Sequence, residues 1–184
     1  PGSLPSDLAF FPAGDVLVAG AANGALAAYG PPDAPKRLPL QEDTGNCPTG
    51  GPETPPKLAT LAPVFGEPAE VVGLLHTQDD IAVLRVRRDG DGGLLASCTT
   101  RASVPGSLFS SVEAFIAPSG RTAVLKTDWN LLFYDLNDLA GLFYRVDLVE
   151  TDLRGSGDVL LSRDERNVYV TSDASLGAWR VAWE

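Results

Sequence analysis

The chain has 184 residues and a formal charge of −10, with 14 Lys and Arg against 24 Asp and Glu. That length can bury a sizeable core in one domain or two small ones, and the scarcity of cations excludes the clustered Lys and Arg that binding a phosphate backbone requires. No run approaches the roughly 18 apolar residues of a membrane helix, and residues 1–7 carry neither a basic region nor an apolar run, so neither membrane insertion nor a signal peptide is expected.

In chain order, the first organised segment is 8–29. It reads as a short apolar strand, the polar turn Pro12-Ala13-Gly14-Asp15, a second apolar strand, the turn Ala22-Asn23-Gly24 and a strand ending at Tyr29. Pro early and Gly late suit a tight turn, and Asn-Gly tolerates the positive φ that a two-residue hairpin needs. Residues 31–56 are rich in Pro and Gly and are expected to form an insertion loop. A weaker copy follows, with residues 71–76 and 81–87 as strands around the turn Thr77-Gln78-Asp79-Asp80 and a polar Asp/Gly turn at 88–93. Residues 94–100 are expected to be an outer strand.

The third copy, 114–134, repeats the first turn as Pro118-Ser119-Gly120-Arg121 and the second as Asp128-Trp129-Asn130. Residues 143–150 suit an outer strand, with a short helical turn at 138–144 as the alternative. The fourth copy, 159–179, has Ser172 to Ser175 as its second turn and Trp179 at its end. With Asn23, Asp79, Asn130 and Ser175 as markers, the spacings are 56, 51 and 45 residues. Repetition near 40–45 residues, with strands every 8–12, indicates an all-β array of antiparallel four-stranded blades.

The segment 8–29 resembles a WD40 repeat of the type F-S-P-D-G…L-A-S-G-S-x-D-G-x-V-x-x-W. Segment 114–136 is similar, with Phe133-Tyr134-Asp135 where such repeats carry Trp-Asp, and 159–179 follows with Trp179. The Gly-His dipeptide that opens many WD40 repeats is absent. The resemblance covers about two-thirds of the chain and implies about four blades of a WD40-like β-propeller, at approximately 7–57, 58–107, 108–152 and 153–184. Four blades are few for a closed ring, and the last copy reaches only its third strand. An incomplete ring or part of a larger propeller is therefore expected.

Chemistry-bearing residues are sparse. One histidine and two distant cysteines cannot build a zinc site. Cys47 and Cys98 do not form a disulfide framework; free thiols are expected and point to a reducing compartment, with a single bridge as the alternative. His76, the lone histidine, has no nucleophile motif to serve and reads as a turn residue. Asp89 and Asp91, in Asp-Gly-Asp-Gly, lack the later acidic residues of a calcium loop. No phosphate loop, dinucleotide fingerprint or Gly-x-Ser-x-Gly motif is present, so neither catalysis nor a cofactor is expected.

What remains is recognition. Trp129, in a turn, suits a binding hot spot, whereas Trp179 and Trp183 suit packing between blades. Arg85 and Arg87 alternate onto one strand face, expected to be solvated. The reading is an intracellular, cytoplasmic protein–protein interaction scaffold in a larger assembly, with Asp128, Trp129, Tyr134, Arg85 and Arg87 as its partner-binding residues. Two alternatives stay open. One is a secreted or periplasmic propeller that binds a small molecule or sugar, which predicts a Cys47–Cys98 bridge. The other is a structural subunit completed by strand pairing with another polypeptide.

Overall fold

A computed structural model of the chain describes residues 5–43, 45–48, 55–65, 69–103, 112–149, 151–155, 157–172 and 175–180, with the backbone alone at 100, 101 and 139–143. The described residues form sixteen strands and no helix. β1 (Pro5–Phe10), β2 (Leu17–Ala21), β3 (Leu26–Tyr29) and β4 (Arg37–Leu38) make the first sheet, in that spatial order. The second holds β5 (Leu40–Asp43), β6 (Lys57–Val64), β7 (Glu70–His76), β8 (Asp80–Arg88) and β9 (Leu94–Ser103), ordered β5-β9-β8-β7-β6. β10 (Glu113–Ile116), β11 (Thr122–Lys126), β12 (Asn130–Asp135) and β13 (Asp138–Asp147) make the third. β14 (Val159–Leu161), β15 (Asn167–Thr171) and β16 (Leu176–Arg180) make the fourth. The four sheets are arranged as the blades of a β-propeller. Segment 138–144 is strand rather than helical turn, because its backbone pairs with β12.

Within each blade the strands run antiparallel and neighbour one another in sequence; the exception is β5, which pairs in parallel with β9. The innermost strands succeed one another in chain order: β1 lies beside β6, β6 beside β10 and β10 beside β14. Among the described residues no comparable packing joins β14 to β1, and the four blades form an open arc.

The sequence makes this arrangement through strands that are apolar on both faces. β7 is buried along its whole length, and β8 from Ile81 to Val86. A strand pleat sends alternate side chains to opposite faces, so Val71, Leu75, Ala82 and Leu84 pack on blade 1 while Val72, Leu74, Ile81 and Val83 pack on blade 3. Blade 3 divides in the same way: Ala123, Leu125, Leu132 and Tyr134 face blade 2, and Val124, Leu131 and Phe133 face blade 4. Trp179 joins the core between blades 3 and 4, as expected; Trp183 lies outside the described residues.

The hairpin at 22–24 is not the two-residue type expected. Ala21 N–H bonds to Ala25 O at 2.8 Å and Gly24 N–H to Ala21 O at 2.8 Å, enclosing three residues. Only Gly24 has positive φ, +80°. A type I turn followed by a glycine in the left-handed region fits those bonds.

The Pro/Gly-rich stretch also contains strands where only an insertion loop was expected. It supplies β4, the outer strand of blade 1, and β5, a fifth strand on blade 2. Cys47, just beyond β5, is bridged to Cys98 in β9, with a Cα–Cα distance of 5.0 Å. The expectation of free thiols is therefore overturned. The parallel pairing of Leu40–Asp43 with residues 94–97 lays the segment along β9, so the next turn brings Cys47 over Cys98. Sequence separation of 51 residues hid this proximity.

Candidate functional site

Trp129 sits in the β11–β12 turn of blade 3 with 52% of its surface exposed. The turn beneath it is fixed by several bonds. Thr127 Oγ1 accepts the N–H groups of Trp129 at 3.3 Å and Asn130 at 3.0 Å, while Thr127 N–H donates to Asn130 O at 2.8 Å. Two further loops are tied to it: Leu148 N–H donates to Trp129 O at 2.7 Å, and Gly155 N–H to Asp128 O at 3.1 Å. Lys126, fully buried at the end of β11, donates from Nζ to Gly155 O. The indole thus projects from three loops whose backbones hold one another. Val149, next to Leu148, is also largely exposed. An aromatic side chain on a rigid platform loses little entropy on binding, which suits it to fill a partner's apolar pocket.

Asp128 belongs to the same turn and is half-buried. The other expected contact residues do not join it. Tyr134 is 1% exposed, because its place in β12 points it at blade 2. Among the described residues its hydroxyl has no hydrogen-bond partner, and burial pushes its pKa up to about 12. An unsatisfied buried hydroxyl costs about 1–3 kcal/mol. Tyr134→Phe is therefore expected to leave stability unchanged or raise it by about 1 kcal/mol in urea unfolding. A loss of that size would show instead that the hydroxyl has a partner.

Arg85 and Arg87 share a strand face, as the alternation predicted, but the face is turned to blade 3 rather than to solvent. Arg85 is 6% exposed and Glu70, on the neighbouring strand, 5%. The carboxylate of Glu70 receives Arg85 Nη1 on Oε1 and Arg87 Nε on Oε2. Arg85 also donates from Nη2 to Asn137 Oδ1 at 3.2 Å and from Nε to Thr99 Oγ1 at 3.3 Å. Thr99 reaches it because the β8–β9 register slips there: Val83 pairs with Thr100 and Leu84 with Cys98, leaving Thr99 as a bulge. The network joins blade 2 to the β12–β13 turn.

His76 ends β7, buried, with Nδ1 3.3 Å from Thr77 O. Burial lowers its pKa, and nearby Lys57 adds to that lowering, against the carbonyl of Thr77, which raises it. It keeps a structural place at the strand end. Asp89 folds onto its own turn, accepting the N–H groups of Gly93 at 2.6 Å and Asp91 at 3.1 Å. Among the described residues no group of three or more His, Cys, Asp or Glu is placed to hold a metal ion, and no helix is long and apolar enough to cross a membrane.

No family model matches the chain, and no curated protein matches it. Among solved structures, the chain is similar to the crystal structure of a functionally unknown protein from Desulfotomaculum acetoxidans DSM 771. The likeness has a TM-score of 0.57 at 13% identity and covers 99% of this chain and 53% of that one. At that identity it bears on the fold alone. The chain spans about half the length of that neighbour.

Proposed function

We propose that the protein is a non-enzymatic β-propeller scaffold that binds another protein through the loop face around Trp129. The observation that carries this reading is an indole half exposed on a turn whose backbone is bonded to two neighbouring loops. Blades fixed by their cores, with loops at their ends, suit a binding platform rather than a chemical site. The repeat pattern shared with WD40-type chains supports the same reading. A pull-down with the full chain is expected to capture a partner that Trp129→Ala releases, with affinity falling by about 30-fold, the loss of a typical hot spot. The variant should keep the wild-type unfolding curve, since the indole adds little to the core. Retention of the partner by Trp129→Ala would remove this face from the proposal.

One observation favours a second reading of where the protein acts. Disulfides persist in oxidising compartments and are rare in the cytosol, so the Cys47–Cys98 bridge supports an exported or periplasmic scaffold over a cytoplasmic one.

A further inference from the structure

The two ends of the arc each expose an apolar sheet face, and the faces are of opposite kinds. Blade 1 packs on blade 2 through Ala9, Val18 and Ala28. Its other face carries Leu8 and Phe10, 54% and 44% exposed, with Leu17, Ala19, Ala27 and Tyr29 behind them in register. These residues line a shallow groove of about 610 Å³. Blade 4 packs on blade 3 through Val159, Leu161, Val168 and Val170. Its other face aligns Leu160, Tyr169 and Ala178, with Leu176 two residues before Ala178 on β16; Leu160, Tyr169 and Leu176 are 53%, 42% and 72% exposed.

The turn bonds fix which face is which. Phe11 N–H to Val16 O, Ala117 N–H to Thr122 O and Ser162 N–H to Asn167 O are the same bond in blades 1, 3 and 4. Phe10, Leu17 and Ala19 then correspond to Ile116, Ala123 and Leu125 of blade 3, and to Leu161, Val168 and Val170 of blade 4. In blades 3 and 4 those positions pack on the preceding blade. Leu160 and Tyr169 correspond to Phe115 and Val124, which pack toward the following blade. Among the described residues no blade covers the outer face of blade 1 or of blade 4, and each of these faces carries what the other needs.

We propose that a second copy of this chain fills both places, blade 4 of each copy seating on blade 1 of the other to close a two-fold ring of eight blades. One observation favours a second copy as the occupant. The contact continues the interface already repeated between blades 1 and 2, 2 and 3, and 3 and 4.

A head-to-tail contact of this kind closes a ring only if the rotation returns on itself; otherwise it grows filaments. Sedimentation of the 184-residue chain tests this, together with Phe10→Glu on the blade 1 face and Tyr169→Glu on the blade 4 face. Phe10 and Tyr169 are 44% and 42% exposed in the single chain, and urea unfolding would verify that each variant folds. Wild type is expected at twice its 19.3 kDa, and each variant alone as monomer. An equimolar mixture of the two variants should regain a dimer, because it pairs one intact blade 4 face with one intact blade 1 face. Monomeric wild type at high micromolar concentration would overturn the proposal, leaving the ends to another polypeptide. Dimers of either variant alone would indicate like-to-like faces, and continuing growth of wild type would indicate filaments; either result would also overturn it.

Discussion

Replacing Glu70 by glutamine is expected to destabilise the fold by about 3–5 kcal/mol, the range for breaking a buried ion pair by removing one partner. Glu70 is the carboxylate for two guanidinium groups, and Arg85 is as buried as Glu70 itself. Its removal leaves Arg85 charged in a site where Asn137, Thr99 and the carbonyl of Leu136 offer only neutral oxygens. Arginine cannot escape by deprotonating. The companion change Arg87→Gln should cost less than about 1 kcal/mol, because that side chain is 42% exposed and an exposed partner contributes little. Urea unfolding of the two variants checks the asymmetry. Equal losses would mean that the carboxylate, not the buried guanidinium, dominates the network. A Glu70→Gln loss below about 1 kcal/mol would mean that water reaches Arg85.

The second large effect concerns the bridge. Reduction of Cys47–Cys98, or its replacement by two alanines, is expected to lower stability by about 2–4 kcal/mol. For a chain of this size that is a fall in melting temperature of roughly 5–15 °C. The link closes a loop of 51 residues that contains the crossover to blade 2 and strands β6, β7 and β8. Cys98 is 3% exposed in the core between blades 1 and 2, and β5 is held to the sheet by only a short parallel ladder. Without the bridge, β5 is expected to exchange its amide hydrogens first. Thiol titration provides the parallel readout: no free thiol in native or unfolded protein before reduction, and two after. Two titratable thiols in freshly isolated protein would remove the support for an oxidising compartment.

Both effects sit where sequence reasoning fell short, and the reason is common to them. Alternation placed Arg85 and Arg87 on one face, and that was right. What alternation cannot say is which of two faces meets water when a blade is covered on both. In the strand core of 81–86 the surrounding residues are apolar on either side, so solvent exposure was the natural reading of the charged positions. The partner that reverses it, Glu70, lies on β7 across the Thr77–Asp80 turn, and Asn137 lies a blade away. Tyr134, expected at the partner surface, lies instead on the face packed on blade 2.

Trp129 is the opposite case. A large apolar residue inside a polar turn has no strand face to fold onto, so its exposure was legible from local sequence, and the structure adds the bonds that hold the turn still.

The sequence by itself determined most of the strands, where the turns between them fall and a count of four blades. These depend on interactions between residues a few positions apart: alternation along a strand and turn residues between strands. The tertiary structure alone decided the Cys47–Cys98 bridge, the Glu70 network and the unequal fates of the two apolar faces on each end blade. Those join positions from 15 to more than 50 residues apart, and no local pattern records which distant face a strand will meet.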